Sequence, residues 1–467
     1  MPGYYVENFG CRATQADGAA LERQFEERGL ARASAPALAS VVVLNTCTVT
    51  AAADQDARAA IRRVRRQNPE AQIVVTGCYA QRAPEEIAAL PGVSLVVGNS
   101  HKHQLAEIAL DRLDSAKANA FVPLHALEST GQPSPHGEDG SDQRRTFVSD
   151  IFAHTELLAA SVFDAANERT RPNLKVQDGC DNRCSFCVIP YVRGQSRSLE
   201  LDEIIREVNT LVDSGYREVV ISGINLGRWG RDLDASVQNP SFEALIRAIL
   251  AQTTLEKLRI SSVEPMDWSD ELIALVASSP RIAKHAHVPM QSGSDAVLRR
   301  MHRKYRPWHY REKIEKIRAT MPDAAIGADV MAGFPGETDA EFEDTRRLID
   351  ELPFTYLHVF TFSARPGTPA AVMPNQVPVQ VARERNRVLR ELAAEKKLAF
   401  MRGFVGSKVE AITLNVVSSH AGGEFTEALT DNYLKLRLHG RHEANRWLPA
   451  RVEDVASGAL VATTLGG

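Results

Sequence analysis

The chain has 467 residues, of which 44% are hydrophobic and 24% are charged, and its formal net charge is −4. This length exceeds one ordinary core, so two to four packed domains are expected, and the composition excludes disordered and collagenous classes. No apolar run is long enough to span a bilayer, which predicts a cytoplasmic protein. The slightly acidic balance is unlike that of strong nucleic-acid binders, so any RNA contact must come from local patches.

The first hundred residues alternate short apolar runs with stretches of helical composition. A helix is predicted for Ala51–Gln67, which Asn68-Pro69 ends. The apolar runs are residues 4–9, 41–44, 73–75 and 95–97. This alternation predicts a parallel α/β sheet domain over residues 1–115.

The alternation of apolar runs and helical stretches is lost between residues 111 and 150. Residues 129–143 are crowded with Gly, Pro, Ser, Asp and Glu, a composition that cannot bury a core. A linker or insertion is therefore predicted over residues 116–165.

A second α/β domain is predicted over residues 166–398. Strands at 218–221, 257–260 and 356–360 alternate with amphipathic helices such as residues 201–211. Such alternation predicts a partial (β/α) barrel, closed by a charged helix around 383–397.

The chain ends in short β-rich pieces. They lie at residues 408–417, 433–438 and 448–455. A small antiparallel β-barrel of the kind that binds oligonucleotides is predicted over residues 399–467.

Three of the six cysteines lie close together in the form C-x-x-x-C-x-x-C. They are Cys180, Cys184 and Cys187. Their spacing, with an aromatic residue just before the last cysteine, resembles the signature of the radical S-adenosylmethionine superfamily, so they are here called the radical triad. Three thiolates on one tight loop can hold three irons of a [4Fe-4S] cluster and leave the fourth iron open for another ligand. A zinc loop is the alternative, although zinc sites normally recruit four ligands.

The other three cysteines each follow a predicted strand. They are Cys11, Cys47 and Cys78, here called the N-terminal triad. Carboxyl ends of parallel strands gather at one edge of a sheet, so the three thiols are expected to converge on a second three-cysteine cluster. Separately buried cysteines are the alternative.

With both triads in place, the chain resembles the radical S-adenosylmethionine (SAM) methylthiotransferases over nearly its whole length. The matching stretches are Asn45-Thr46-Cys47-Thr48-Val49-Thr50, Thr76-Gly77-Cys78-Tyr79-Ala80-Gln81, residues 175–194, 288–295, 333–338 and 363–369. Within the family, Thr48-Val49-Thr50 and Gln177-Asp178-Gly179 are similar to the branch that modifies N6-threonylcarbamoyladenosine in tRNA.

The resemblance implies cofactors, partners and an activity. It implies two [4Fe-4S] clusters, one on each triad, with SAM chelated at the open iron of the radical triad. It also implies a C-terminal TRAM domain of β-barrel type, a tRNA anticodon loop as substrate, and an electron donor such as a flavodoxin or ferredoxin. The expected product is the 2-methylthio derivative of N6-threonylcarbamoyladenosine at tRNA position 37.

Polar residues at strand ends are candidates for holding SAM. Gly223 and Asn225 follow one predicted strand, Ser261 and Glu264 follow the next, and Gln291 follows a later one. At the mouth of a β/α barrel such groups line a ligand pocket, although loop capping would explain each of them as well. His285 and His287 are expected to support strand packing.

Candidate RNA contacts combine an aromatic residue with basic ones. Tyr433 would stack on a base while Lys435 and Arg437 meet phosphates, with Tyr433 as plain core the alternative. Further basic patches are Arg62, Arg63, Arg65 and Arg66, and Arg299, Arg300, Arg303, Lys304 and Arg306. Solvated helix faces would give the same runs.

Three other functions fit part of the pattern. Two are enzymatic: methylthiolation of isopentenyladenosine in tRNA, or of an aspartate on a ribosomal protein. The third is an RNA-binding iron-sulfur sensor, which would not need the second α/β domain after Cys187.

Overall fold

The fold is that of a computed structural model, which describes residues 3–119, 145–154, 157, 171–234, 240–420 and 423–465. The chain divides into two compact units. The first comprises Met1–Ala160 with Val188–Gln195, and the second Ser161–Cys187 with Ser196–Gly467. Most of the predicted linker lies outside the described residues.

The first unit is built on a parallel sheet. Its strands are β1 (Gly3–Asn8), β2 (Ala31–Arg32), β3 (Val41–Thr46), β4 (Gln72–Gly77), β5 (Val93–Val97) and β6 (Thr146–Phe147). Their order is β2-β1-β3-β4-β5-β6, and each neighbouring pair is parallel. The sixth strand falls within the predicted linker at 116–165, so part of that region belongs to the sheet.

Helices cover both faces of this sheet. They are α1 (Arg12–Glu27), α2 (Ala51–Gln67), α3 (Cys78–Arg82), α4 (Pro84–Ala88), α5 (Leu105–Asn119) and α6 (Ile189–Arg193). Val42 and Leu44 of β3 pack in the core that includes α2, whereas Val41 and Val43 pack in the core that includes α1 and α5. Side chains of a strand alternate between faces, so β3 is buried throughout.

The predicted helix over Ala51–Gln67 is confirmed with both of its ends. The Thr50 hydroxyl accepts a hydrogen bond from the Ala53 amide at 3.2 Å, which caps the first turn. At the other end, the Asn68 amide group donates to the carbonyls of Pro36 (3.1 Å) and Ala39 (2.8 Å).

The second unit begins with a partial parallel barrel. Its strands are β7 (Asn173–Lys175), β10 (Glu218–Ser222), β11 (Lys257–Ile260), β12 (His285–His287), β13 (Ala325–Ala332) and β14 (Tyr356–Thr361). They form two parallel sheets, β11-β10-β7 and β12-β13-β14, and isolated parallel bridges at Leu258–Ile282 and Ser262–His287 join the two. A short antiparallel pair, β8 (Gln177–Asp178) with β9 (Arg197–Ser198), flanks the first strand.

Seven helices within the described ranges accompany these strands. They are α7 (Leu201–Asp213), α8 (Phe242–Gln252), α9 (Asp270–Ser278), α10 (Asp295–Arg300), α11 (Pro307–Thr320), α12 (Asp339–Glu351) and α13 (Val379–Arg402). The Thr338 hydroxyl and the Glu341 carboxylate form a reciprocal capping box at the start of α12. The predicted (β/α) architecture is confirmed, and α13 closes it.

The second unit ends in a closed five-stranded barrel. Its strands are β15 (Lys408–His420), β16 (Gly423–Thr430), β17 (Lys435–His439), β18 (Trp447–Ala456) and β19 (Ala459–Thr464). The order around the barrel is β15-β16-β17-β19-β18, and all pairs but β17–β19 are antiparallel. The small C-terminal barrel is thus confirmed.

The turn between β16 and β17 joins the barrel to the strands of the same unit. The Asp431 carboxylate accepts a hydrogen bond from the Lys284 amide at 3.1 Å, and Asn432 donates to the Asp323 carbonyl at 2.8 Å. Lys284 and Asp323 precede β12 and β13, so the turn docks at the amino ends of the strands. In the described part of the chain, no helix is long and apolar enough to cross a membrane.

Candidate functional site

The radical triad lies on the loop that follows β8, and backbone contacts within the second unit hold the loop in place. The Ser185 amide donates to the Met301 carbonyl at 3.1 Å, and its hydroxyl donates to the Arg300 carbonyl at 2.7 Å. The Ser185 carbonyl accepts from the Ala370 amide at 2.8 Å. Ser185 directly follows Cys184, so these bonds fix the middle of the triad.

Two of the three sulfurs receive hydrogen bonds from side chains distant in sequence. Asn225 Nδ2 donates to Cys180 Sγ at 3.7 Å, and Arg303 Nη1 donates to Cys184 Sγ at 3.2 Å. Asn225 was predicted for this site. Arg303 was predicted only as part of a basic patch, and its role beside the sulfur was missed.

The buried Arg303 brings Glu264 to the triad. Its guanidinium pairs with the Glu264 carboxylate and donates to the Tyr305 hydroxyl at 3.3 Å. Tyr305 in turn donates to the carbonyls of Pro289 (3.0 Å) and Met290 (2.7 Å). Glu264 therefore lies beside the cysteines, and its contact with SAM stays a prediction.

Gln177 organises the start of the cysteine loop. Its amide group donates to the Gly179 carbonyl at 2.9 Å, and its oxygen accepts from the Asn225 amide at 2.7 Å. A Cβ on Gly223 would lie 2.8 Å from that oxygen. Gly223 thus allows the loop after β10, which carries Asn225, to approach Gln177.

The other predicted SAM residues also follow the carboxyl ends of strands. Ser261 comes directly after β11, and its amide donates to the Ile221 carbonyl at 3.1 Å. Gln291 follows β12 with a left-handed backbone, φ 63°, and its amide donates to the Asp329 carbonyl at 2.8 Å. Both lie at the same end of the barrel strands as Asn225, where SAM contact stays a prediction.

A cavity opens beside the radical triad. It is lined by Asn182, Arg183, Cys184, Arg228, Glu264, Met266, Asp267, His302, Arg303, Lys304 and Tyr305. Four of these side chains are arginines or lysines and two are carboxylates. The cavity therefore carries a formal excess of two positive charges and suits an anionic group.

The N-terminal triad meets at the carboxyl edge of the first sheet. Thr46 of β3 pairs with Gly77 of β4, so Cys47 and Cys78 both follow directly after one pair in the ladder. A Cβ on Gly10, which has φ 96°, would lie 2.6 Å from Cys47 Cβ and 2.8 Å from its Sγ. The loop that carries Cys11 thus passes directly over Cys47.

The thiols of this triad are close enough to influence each other. Burial, together with the neighbouring Cys78 and Cys11, raises the pKa of Cys47 to about 12, while Arg193 acts in the opposite direction. Burial likewise raises the pKa of Cys180 to about 11. Metal binding needs thiolates, so iron must displace protons at both triads.

A buried polar network supports the N-terminal triad, and no local sequence pattern indicates it. Lys102 Nζ donates to Asp17 Oδ2 at 3.0 Å and to Asn45 Oδ1 at 3.2 Å. Arg193 Nη2 donates to the same Asp17 oxygen at 2.9 Å. The partners are 85 and 176 residues apart in the chain, beyond the reach of local patterns.

The structure separates the three predicted RNA contacts. The Tyr433 ring lies 4.7 Å from the His285 ring and 5.7 Å from the Tyr356 ring, and the Arg259 guanidinium lies 5.4 Å from its centre. Tyr433 therefore packs in the joint at the amino ends of the strands, as the alternative of core packing expects, and its stacking on a base stays a prediction. His285, whose ring nitrogen lies 2.6 Å from the Tyr356 hydroxyl, has the expected packing role.

Lys435 and Arg437 lie further along the barrel. Lys435 is exposed, whereas Arg437 is half-buried and donates to the Glu427 carboxylate at 3.2 Å. In the predicted basic patch of residues 299–306, Arg299 and Arg306 pair with Asp295, and Arg300 pairs with Glu341. Much of that patch is neutralised locally.

Two protein-family models match separate parts of the chain. Residues 3–98 match the uncharacterized protein family UPF0004, and residues 174–349 match the radical SAM superfamily. The first match covers the sheet that carries the N-terminal triad, and the second covers the barrel strands from β7 to β13.

Similar proteins align over nearly the whole chain. The threonylcarbamoyladenosine tRNA methylthiotransferase MtaB of Bacillus subtilis (strain 168) is 36% identical over 93% of this chain and 90% of its own. The protein of the same name from Aquifex aeolicus (strain VF5) is 34% identical over 94% and 97%. The tRNA-2-methylthio-N(6)-dimethylallyladenosine synthase of Novosphingobium aromaticivorans is 34% identical over 88% and 86%.

The chain belongs to the radical SAM methylthiotransferase family.

Solved structures share the fold of this methylthiotransferase. The radical S-adenosylmethionine methyltransferase TsrM from Kitasatospora setae matches with a TM-score of 0.53 over 80% of this chain and 77% of that one, at 15% identity. At that identity the likeness concerns the fold alone.

The radical triad of this methylthiotransferase fits the cofactors of its superfamily, a [4Fe-4S] cluster and SAM. Three cysteines on one loop provide ligands for three irons, and two of the sulfurs already receive the hydrogen bonds that stabilise thiolate ligands. Among the described residues, no three His, Cys, Asp or Glu side chains are placed to hold a single metal ion. A four-iron cluster is larger than one ion and needs more widely spaced sulfurs.

Proposed function

We propose that this methylthiotransferase converts N6-threonylcarbamoyladenosine at tRNA position 37 into its 2-methylthio derivative. Relatives named for threonylcarbamoyladenosine are 33–36% identical to the chain. Relatives named for dimethylallyladenosine are 33–34% identical. Identity does not separate the two substrates, so the choice rests on the site.

The charge of the cavity beside the radical triad carries this choice. A threonylcarbamoyl group ends in a carboxylate, whereas an isopentenyl group is apolar. Arg183 and Lys304 are exposed at the cavity, while Arg303 and Arg228 lie deeper and pair with Glu264 and Asp267. A site lined by cations favours the acidic substituent, because desolvating those cations against an apolar group has no compensation.

The two triads divide the chemistry in this proposal. When bound, the radical-triad cluster and SAM would supply the 5'-deoxyadenosyl radical, a second [4Fe-4S] cluster on the N-terminal triad would supply or carry the sulfur, and a second SAM molecule would supply the methyl group. Asn225 and Arg303 orient Cys180 and Cys184 through their hydrogen bonds to the sulfurs. The polar residues at the carboxyl ends of the strands, Gly223, Ser261 and Gln291 among them, then line the SAM pocket.

The substrate base is well suited to such a pocket. A base in an anticodon loop is unpaired and can be splayed out at modest cost. The exposed Lys435 of the barrel, with Arg437 near it, would contact the phosphates of the loop. A small reduced carrier such as a flavodoxin or ferredoxin would deliver the electrons.

The test is an anaerobic reaction with reconstituted protein, SAM, a chemical reductant and two anticodon stem-loops. One stem-loop carries N6-threonylcarbamoyladenosine at position 37 and the other carries N6-isopentenyladenosine. We expect the methylthio product from the first substrate alone, measured by nucleoside mass spectrometry. Product from the second substrate alone would assign the enzyme to the other branch.

The same reaction addresses a function without catalysis. An iron-sulfur sensor would bind the stem-loop and form neither 5'-deoxyadenosine nor a methylthio product. Cleavage of SAM without modification of either RNA would point instead to a protein substrate such as a ribosomal aspartate.

A further inference from the structure

A set of three buried charged side chains lies beneath the N-terminal triad. They are Asp17, Lys102 and Arg193, here called the Asp17 cluster. Their side chains are 2%, 4% and 2% exposed, and both cations bind the same carboxylate oxygen. Removing charged side chains from water costs free energy, which these three residues would avoid at the surface. Their burial therefore indicates a specific role.

We propose that the Asp17 cluster is an electrostatic support for the N-terminal cysteine site, whose two cations favour the reduced form of the iron-sulfur cluster bound there. This inference rests on the proposed function, because it needs a cluster on these cysteines. Lys102 and Arg193 act here as positioning residues that work through the cysteine loops and not through the substrate.

The Asp17 cluster contacts the loops that carry Cys11 and Cys47. Lys102 binds Asn45, which lies two residues before Cys47. Asn45 Nδ2 donates to the Thr14 carbonyl at 2.7 Å, and the Thr14 hydroxyl lies 3.5 Å from Cys11 Sγ. One chain of contacts therefore joins the buried ammonium to both loops.

The same cluster is connected to Cys78 through α6. Arg193 ends α6, and the preceding Val192 packs against Cys78. Asn99 Nδ2 donates both to the Val192 carbonyl at 2.7 Å and to Cys78 Sγ at 3.7 Å. The ion pair of Arg193 with Asp17 thus holds α6 against the third cysteine.

The two cations of the Asp17 cluster also act on the cysteine site through their charge. Arg193 lies within electrostatic reach of Cys47, and Lys102 lies within reach of Cys78. A four-iron cluster held by three thiolates is anionic, and reduction makes it more so. Cations fixed in a medium of low dielectric act on such a group more strongly than they would in water, so they should raise its reduction potential.

The experiment measures the midpoint potential of the N-terminal cluster by an EPR-monitored redox titration. The full chain is used with Cys180, Cys184 and Cys187 all replaced by Ala, so that one cluster gives the signal. Into this background go Lys102→Met, Lys102→Arg and Asp17→Asn. The matched control is Arg28→Met, since half-exposed Arg28 follows the far end of α1, about 24 Å along the helix from Cys11.

The variants should shift the potential in opposite directions. We expect a lower potential for Lys102→Met, a higher one for Asp17→Asn, and the parental value for Lys102→Arg and Arg28→Met. A purely structural role would not give shifts whose sign follows the charge removed. Shifts of the same sign, or none while iron is retained, would overturn the inference.

Loss of iron, from Lys102→Met or from the parental background, also gives a result that can be interpreted. If Lys102→Met loses its iron, Asp17→Asn decides alone, and an unchanged or lowered potential there overturns the inference. If the parental background binds no iron on the N-terminal triad, the proposed second cluster fails, and this inference fails with it.

Discussion

The joint between the C-terminal barrel and the partial barrel depends on one buried ion pair. Arg259 Nε donates to Glu218 Oε1 at 2.6 Å, and the two side chains are 1% and 0% exposed. Arg259 also donates to the Asp431 carbonyl at 3.1 Å, and Arg171 lies 3.6 Å from the same Glu218 oxygen. Glu218→Gln keeps the shape of the side chain and removes the charge that these arginines share.

The expected cost is large. Breaking a buried ion pair by removing one partner costs about 3–5 kcal/mol. In a unit of a few hundred residues, each kcal/mol lowers the melting temperature by about 2–4 °C, so a decrease of roughly 6–20 °C is expected. The assay is unfolding by heat and by urea, followed by circular dichroism.

The control makes the same chemical change at the surface. Glu384→Gln removes the carboxylate of an exposed pair with Arg387 on α13, and solvent screening should leave its melting temperature at the parental value. If Glu218→Gln is no less stable than Glu384→Gln, the buried pair does not hold the joint.

The effect of Glu218→Gln on stability should depend on pH. Burial by itself would raise the pKa of Glu218, but the charge and hydrogen bonds of Arg259, with Arg171 and Lys257, lower it overall from 4.5. A lowered pKa gives stability that is present above pH 4.5 and is lost as the pH falls through the folded-state pKa. The stability difference between the parent and Glu218→Gln should therefore shrink below that pH.

Three further predictions concern the chemistry. Replacing any one cysteine of the N-terminal triad by Ala should preserve 5'-deoxyadenosine formation and abolish methylthio transfer, measured in the same reaction, and product at the parental rate would make those cysteines structural. Replacing the whole radical triad by Ala should remove about half of the iron and all 5'-deoxyadenosine, because each triad binds one cluster. Lys304→Met should lower kcat/KM for the threonylcarbamoyl stem-loop about tenfold, equivalent to about 1.4 kcal/mol, and an unchanged value would exclude this side chain from carboxylate recognition.

The sequence was most informative where chemistry restricts residue type. Both cysteine triads could be proposed from spacing and from strand ends, because few other arrangements use thiols that way, and their role as cluster ligands stays a prediction. The helix at Ala51–Gln67 was equally clear, since Thr50 and Asn68 mark its ends locally. Short strands such as β6 were missed because two residues leave no period to detect.

Long-range contacts could not be read in this way. Arg303 meets Cys184 across 119 residues of chain, and nothing near either residue signals the pairing. Tyr433 had two interpretations for a related reason: its basic neighbours suggested RNA and its aromatic ring suggested core, and only the tertiary fold shows that the ring packs against His285 and Arg259. Local composition describes a segment but not the surface that the segment meets.

The most direct test of the proposed function uses cellular tRNA. Total tRNA from a strain lacking this protein, from its parent and from the strain complemented with the gene is digested and compared by nucleoside mass spectrometry. We predict that 2-methylthio-N6-threonylcarbamoyladenosine disappears, that its precursor N6-threonylcarbamoyladenosine accumulates, and that complementation restores the product. Persistence of that product, with loss of 2-methylthio-N6-isopentenyladenosine instead, would contradict the proposed substrate.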